Sequence, residues 1–208
     1  MRGNLGRLVT LVRTEGVRET LHRLAFRFFH VHSFAVMRLE LSDALPEARI
    51  PPGIEVREVR PEELAGLRAG RTDLPEYFYR EESGKLDRCW VGVKEGRLGF
   101  ISWVSYRGSS GFVRLKPGEV EIDYTHCLPD LRGQRLTTNA YLVMAHALFR
   151  EGRTVAYGVP HAKNLPIIKS FLASGFAQVG LIRRWGLLTW PRTPVEYSGV
   201  VLRERPRA

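Results

Sequence analysis

Residues 118–138 carry the charged side chains whose spacing could do chemistry. From residue 119 onward polar and apolar residues alternate with a period of two, which predicts a half-buried strand. One face of this predicted strand carries Glu119, Glu121, Asp123 and Thr125. Carboxylates in such a row can accept a proton from an ammonium group or bind a cationic ligand. A solvated strand face is the alternative, and the spacing alone leaves both open.

A basic turn follows this strand. Pro129 cannot donate a ladder hydrogen bond and so ends the strand. A helical run begins after Gly133, which Arg132 and Arg135 flank. A helix N-terminus offers unpaired N–H groups and a partial positive charge, so that a glycine turn with arginines can hold phosphate. The alternative is an ordinary strand-to-helix connection with solvated arginines.

Composition and charge limit the classes of partner. The 208 residues, 44% hydrophobic and 26% charged, suit one soluble domain with an extension. The formal net charge of +10, from 32 basic and 22 acidic residues, favours an anionic partner such as a nucleotide cofactor, an acidic protein or an anionic membrane. Charge alone would also suit nucleic acid, but no recognition motif is present and we do not expect that partner.

The two cysteines indicate neither a metal site nor a disulfide framework. Cys89 and Cys127 lack the spacing of metal ligands, so we expect no metal and a reduced, cytoplasmic protein. Cys127 at a strand end could be a nucleophile, but a small buried thiol is the favoured interpretation. No apolar run approaches the ~20 residues that span a bilayer, and the N-terminus lacks the apolar core of a signal peptide.

The remaining elements predict a two-part chain, an extension over residues 1–50 and a domain over residues 51–208. The extension contains a basic amphipathic helix, which could pack on the domain or touch an acidic carrier protein or a membrane surface. Local patterns predict strands at 34–41, 54–59, 154–160, 176–188 and 195–202, a helix from Pro61, a hairpin about Glu95-Gly96 and a helix within 162–176.

Two motifs resemble those of the GNAT superfamily of acyl-CoA-dependent N-acyltransferases. The family's pyrophosphate motif, Gln/Arg-x-x-Gly-x-Gly/Ala, falls at a strand end, and here residues 127–137 match its position. The later motif is asparagine, an aromatic residue seven positions on, and then Gly-Phe. It is matched by Asn164, Phe171, Gly175 and Phe176.

The chain departs from these motifs at three positions. Asp130 stands where the family usually has glutamine or arginine, and Arg135 where it has glycine or alanine. Phe171 occupies the position of a frequent tyrosine general acid. Phenylalanine cannot donate a proton, so the acid must be water or another group, or be unnecessary.

The resemblance implies an α/β fold, with a mixed, mostly antiparallel sheet of six to seven strands, splayed in the middle and flanked by helices. It implies acetyl-CoA or a longer acyl-CoA as donor substrate. The residues it assigns to the coenzyme are Cys127, Leu128, Arg132, Gly133, Gln134, Arg135, Leu136, Thr137, Asn164 and Phe171. In the family, residues corresponding to 70–86 help form the acceptor pocket; an ordinary amphipathic segment is the alternative here.

The resemblance also implies catalytic roles. The family's base often comes from the central strand, so we rank Glu121 first and Asp123 second. His126, predicted on the opposite face of the strand, is a weaker base candidate, and packing is its favoured role. By analogy, the oxyanion donor is a backbone N–H near Cys127 or Leu128.

The predicted function is transfer of an acetyl or longer acyl group from a CoA thioester to a primary amine by direct attack. The alternatives are a non-catalytic acyl-CoA-binding module and an acyltransferase that takes its acyl group from a carrier protein. The basic helix leaves a peripheral position at the membrane open.

Overall fold

The computed structural model describes residues 17, 31–83, 86–106, 112–185 and 188–190. The predicted basic helix of the extension and the predicted strand at 195–202 lie outside these residues. Phe34–Leu181 belong to the larger of two compact units, and the end of the seventh strand with the short eighth strand belongs to the smaller.

The described residues contain eight strands and three α-helices. The strands are β1 Val31–Glu40, β2 Ile54–Val59, β3 Arg88–Lys94, β4 Arg97–Ser105, β5 Glu119–Cys127, β6 Val155–Gly158, β7 Ala177–Trp185 and β8 Leu188–Trp190. The helices are α1 Pro61–Arg68, α2 Leu136–Arg150 and α3 Leu165–Ala173, with short 3-10 helices at Glu76–Ser83 and Pro129–Leu131.

Local sequence signals account for several of these elements. Pro61 opens α1 with two acids in its first turn, as expected where the helix dipole is positive. Glu95 and Gly96 have φ of 50° and 75°, the conformation of a tight hairpin turn, and they join β3 to β4. Gly175, with φ of 95°, follows α3 and ends it.

Seven strands form one sheet in the larger unit, in the order β2-β3-β4-β5-β6-β1-β7. The pairs β2–β3, β3–β4, β4–β5 and β1–β6 are antiparallel, whereas β5–β6 is parallel. The predicted mixed, mostly antiparallel sheet flanked by helices is therefore confirmed. β8 pairs with Arg183–Trp185 at the end of β7.

β1 lies well inside the sheet although it comes from the N-terminal part of the chain. It pairs with β6 from Met37↔Gly158 to Glu40↔Val155. The domain boundary at residue 50 stays a prediction; the larger compact unit includes Phe34 and the residues of β1 that follow it.

Helices cover both faces of the sheet. On one face α2 and α3 contribute Tyr141, Met144 and Phe171 to a core that includes Val120 and Ile122 of β5. On the other face, α1 and the 3-10 helix Glu76–Ser83 contribute to a second core, whose members include Leu64, Phe78, Val91, Ile101 and Trp103. The result is a layer of helices on each side of β5.

The sheet opens beside β5. β5 and β6 pair from Glu119↔Val155 to Ile122↔Gly158, where β6 ends, while β5 continues to Cys127. Residues 123–127 thus run past the end of their parallel neighbour. We call this opening the splay.

A β-bulge lies at the start of the splay. Against β4, Trp103 faces Asp123 but Ile101 faces His126, so two residues of β5 stand opposite Ser102. Tyr124 takes up the extra length with φ of 47°, an uncommon conformation for a bulky residue. The bulge reverses which side chains point to which face beyond Asp123.

Candidate active site

The turn between β5 and α2 has the backbone geometry of an anion site. Gly133 and Arg135 both have positive φ, of 78° and 56°, and α2 begins at Leu136 without a side-chain cap or an acidic residue in its first turn. The first N–H groups of a helix have no intrahelical acceptor, and the helix dipole makes this end positive. The turn can therefore bind a phosphate group through its backbone.

Polar side chains hold this turn in place. The buried Asn139 donates from Nδ2 to the Arg135 carbonyl at 3.0 Å and accepts the Arg49 N–H on Oδ1 at 2.8 Å. Arg132 donates from Nε to the Cys127 carbonyl at 2.9 Å. Asn139 thus connects Arg135, the left-handed residue before α2, to the loop that contains Arg49. Arg132 connects the turn to the end of β5.

A cavity of about 400 Å³ opens at the turn and runs between α2 and α3 to the splay. Its lining residues are Thr125, His126, Cys127, Leu131, Arg132, Gly133, Arg135, Leu136, Thr137, Asn164, Pro166, Ile167 and Ser170. It brings together most of the residues predicted to bind the coenzyme.

Three of those predicted residues do not line the cavity. Gln134 is exposed, with its amide donating to the Asp130 carbonyl at 3.4 Å. Leu128 is buried in the second core. Phe171 is 3% exposed and stacks on Tyr141, with ring centroids 4.3 Å apart. Its side chain belongs to the core, because the inward face of α3 is packed on the sheet.

The backbone at the end of β5 restricts the predicted oxyanion donor. The Leu128 N–H already donates to the Gly99 carbonyl of β4 at 2.8 Å, so the prediction for Leu128 is wrong. Successive N–H groups of an extended chain point to opposite edges. The Cys127 N–H therefore points away from β4, toward the splay.

The Cys127 thiol is a poor nucleophile in this setting. It is half-buried and donates weakly to the Leu128 carbonyl. Burial, only partly opposed by the Arg132 charge, raises the pKa of the thiol to about 11, so that it is protonated at neutral pH. The favoured interpretation as a small buried thiol agrees with this environment.

The predicted row of polar residues on β5 is broken by the bulge. Thr125, expected to share a face with Glu121 and Asp123, instead bonds the Ser102 hydroxyl at 2.8 Å and lies beside the Tyr141 phenol on the α2 side. Glu121 is fully buried and Asp123 half-buried. Neither carboxylate lines the cavity.

His126 lines the cavity, although the sequence pattern predicts that it is packed on the other face of the strand. Its ring stacks on Tyr77 at 5.2 Å and meets Phe78 edge-on at 5.8 Å. Burial, and then the Arg132 charge, lower its pKa below the ordinary value, so the imidazole is neutral at pH 7. Its position beside the motif at Cys127 was the available signal; the bulge that turns it was not visible in the sequence.

Comparison with solved structures identifies the architecture. A GCN5-related N-acetyltransferase from Sphaerobacter thermophilus matches 80% of this chain with a TM-score of 0.53 at 15% identity. The chain has the GNAT fold. A GNAT-family protein from Novosphingobium aromaticivorans matches 74% of the chain, with a TM-score of 0.52 at 16% identity. The GNAT resemblance is confirmed at the level of fold.

These neighbours are longer proteins. The GNAT-fold chain spans 56% of the Sphaerobacter protein and 63% of the Novosphingobium protein. No family model matches the sequence. No curated protein matches it either.

Among the residues that the structure describes, no group of three or more His, Cys, Asp or Glu side chains is placed to hold a metal ion. No α-helix in those ranges combines the length and apolar character needed to cross a bilayer.

Proposed function

We propose that the protein is an N-acyltransferase that moves an acetyl or longer acyl group from a CoA thioester to a primary amine. The observation that carries the proposal is the cavity joining the uncapped N-terminus of α2 to the splay of β5. A nucleotide thioester requires a site for its phosphates and a backbone donor for its carbonyl oxygen. This cavity has the first at the start of α2 and the second at the end of β5.

The diphosphate of the coenzyme would lie on the turn. Gly133 leaves open space beside its Cα, and the N–H groups at the start of α2 donate to the phosphate oxygens. Arg132 and Arg135 add positive charge at the same end of the cavity. Asn164 lines its α3 side.

The thioester carbonyl would lie at the end of β5. There the Cys127 N–H is directed to the splay and can stabilise the developing oxyanion. The ammonium group first loses a proton to a base, and the neutral nitrogen then attacks the carbonyl carbon and forms a C–N bond. As the C–S bond breaks, the nitrogen loses a second proton to solvent, and the departing thiolate takes a proton from solvent or a nearby donor.

The base is a carboxylate of β5. Glu121 and Asp123 flank Ile122, the last residue that pairs with β6, and either can act through a bridging water. Neutral His126 in the cavity wall is the second candidate. The resemblance assigned the acid to a tyrosine position that here holds buried Phe171, so no acid is proposed there.

A binding module without turnover is the second candidate function. It is favoured by the burial of Phe171 and by the strained Arg135 in the turn.

A carrier-protein donor would depend on the basic extension outside the described residues. Because neither Cys89 nor Cys127, both among the described residues, is in a disulfide, we propose a cytoplasmic protein.

The first test is calorimetric titration with acetyl-CoA, palmitoyl-CoA and free CoA. We expect Gly133→Asp and Arg132→Ala to weaken binding at least about 10-fold, since each removes phosphate contacts or adds a negative charge. Preference for palmitoyl-CoA would indicate a long-chain donor. Measured turnover with an amine separates an enzyme from a module.

Gly152→Asp is the matched control. Gly152 has the same φ of 78° and the same open surroundings as Gly133, but it lies beyond the C-terminus of α2. The Gly152→Asp variant therefore has similar backbone strain, but its new side chain does not lie at the turn. Equal losses in the two variants, or no CoA binding by the wild type, would contradict the proposed coenzyme site.

A further inference from the structure

A pair of tyrosine rings holds a guanidinium group on the far side of β5 from α2. The Arg80 guanidinium carbon lies 4.9 Å from the Tyr124 ring centroid and 5.8 Å from that of Tyr77. Both distances are within the range in which a cation is attracted to an aromatic face. We call Tyr77, Tyr124 and the space between them the cation box.

The box borders the coenzyme cavity. Tyr77 stacks on His126, which lines that cavity. The Trp103 indole N–H donates to the Tyr77 carbonyl at 3.0 Å and anchors the 3-10 helix to β4. Tyr124 is the bulge residue at the start of the splay. A ligand in the box would therefore lie beside the opening in the sheet.

Carboxylates outnumber cations among the charges that act on Tyr124. Glu76 pairs with Arg80, and Asp123 and Glu121 are close enough to Tyr124 to act on its phenol. Burial first, and then the Asp123 charge, raise the pKa of Tyr124, while Arg80 opposes the shift. The Tyr124 side of the box therefore favours a cation, whereas on the Tyr77 side the Arg132 charge reaches His126.

The Arg80 guanidinium leaves one buried N–H donor unsatisfied in this position. Its Nε is buried without a hydrogen-bond acceptor among the described residues. In the ion pair with Glu76 the Arg80 side chain is 30% exposed and the Glu76 side chain 73% exposed, and pairs that water reaches contribute only modestly to stability. Displacement of the guanidinium by another cation would cost Arg80 this ion pair and the ring contacts, and would release its unsatisfied N–H to water.

We infer that the cation box binds the acyl acceptor, a primary amine carrying a second cationic group, and that Arg80 occupies this site until the acceptor displaces it. The inference rests on the proposed function, because it names the acceptor class of the same site. The second cationic group remains on the tyrosine rings while the reacting amine loses its proton and attacks the thioester. Arg80 thereby acts as a gate: an amine whose second group is neutral or anionic displaces it from the rings less readily than one whose second group is cationic.

The test compares three linear amines of similar length in the absence of coenzyme. Agmatine has a guanidinium far end, 5-aminopentanamide a neutral one and 5-aminopentanoate an anionic one. We expect calorimetry to give agmatine the lowest Kd, roughly 3- to 30-fold below that of the amide, with the carboxylate weakest.

Variants separate a gate from a permanent binding group. Arg80→Ala should lower the Kd for agmatine several-fold, since the competing guanidinium is gone. Tyr124→Leu should raise it, whereas Tyr124→Phe, which keeps an aromatic face, should raise it less. Arg57→Ala is the control, because Arg57 pairs with Glu55 and Glu63 away from the box. Thermal unfolding checks that each variant is folded.

The outcomes are distinct. If Arg80→Ala abolishes amine binding, or if the wild type prefers 5-aminopentanoate, Arg80 recognises an anionic group and the inference is wrong. Equal binding of the three amines also overturns it. Failure to bind any CoA species would overturn the proposed function. The amine titration, which uses no coenzyme, would still test whether the box prefers a cationic group.

Discussion

Cys127 illustrates how its surroundings determine the chemistry of a single side chain. A thiol at a strand end beside the cavity proposed to hold a thioester would suit a covalent acyl-enzyme if it ionised easily. Here burial raises its pKa to about 11, and an ordinary cysteine thiol ionises near 8.5. The thiol is therefore in its unreactive form under physiological conditions, which agrees with direct attack by the amine.

Cys127 should react slowly with iodoacetamide at pH 8. Because its pKa is raised, the thiolate fraction at that pH is below that of a free thiol by roughly 100-fold, and the alkylation rate should keep rising up to about pH 11. Mass spectrometry of the Cys89→Ala protein isolates the Cys127 signal. We also expect Cys127→Ala to retain acyl transfer. Rapid alkylation at pH 7 with loss of transfer would instead indicate a covalent intermediate.

Glu121 is the residue at which the proposed base can be tested. Glu121→Gln keeps the shape of the buried side chain and removes its ability to take a proton. We expect kcat/KM with an alkylamine to fall by about 100-fold or more, with CoA affinity unchanged. Asp123→Asn tests the second carboxylate in the same way.

A readout independent of packing comes from acceptors that are already deprotonated. Methoxyamine is almost entirely neutral at pH 8 and needs no base to deprotonate it before attack, so Glu121→Gln should slow its acylation far less than that of an alkylamine. Glu119→Gln, on the same strand but partly exposed, is the matched control. Equal losses with both amines would make Glu121 a structural residue.

At the scale of elements, α3 approaches β6 as closely as it does because β6 ends in glycine. A Cβ placed on Gly158 would lie 2.3 Å from Cζ of Phe171. The Phe171 ring also packs edge-on against Phe176, with centroids 4.7 Å apart. The aromatic position of the later motif therefore holds α3 to the sheet rather than contacting the cavity.

Gly158→Ala should destabilise the protein by about 1–3 kcal/mol, because the new methyl group overpacks the ring. Gly66→Ala is the control: Gly66 lies within α1 with open space around it. That change should stabilise by roughly 0.5–1 kcal/mol through helix propensity. Urea unfolding measures both.

Phe171→Leu in the Gly158→Ala background should recover part of the loss, because the two sites are in contact. An unchanged unfolding midpoint in Gly158→Ala would mean that α3 does not pack on β6 as described.

For the whole molecule, charge and architecture point to the same partner class. The net charge of +10 favours anionic ligands, and the uncapped start of α2 with its two arginines gives that preference a location. On the other side of β5, the cation box favours cationic ligands instead. Opposite charge preferences on the two sides of one strand suit a reaction between an anionic donor and a cationic acceptor.

Much of the fold follows from local patterns in the sequence. The alternation of residues 54–59 predicts β2 to the residue, and Glu95-Gly96 predicts the β3–β4 hairpin. Pro61 marks the first residue of α1. These elements depend on steric and hydrogen-bonding preferences of neighbouring residues, which a sequence displays directly.

The sequence by itself determined the motif at Gly133, the order of elements and the net charge that favours an anionic partner. Only the tertiary structure decided that β1 lies between β6 and β7, that a bulge at Tyr124 turns Thr125 and His126 to new faces, and that Phe171 is core. The same holds for the meeting of Tyr77, Arg80 and Tyr124. Each depends on contacts between distant segments or on one extra residue in a strand, and a local period of two or 3.6 carries no record of either.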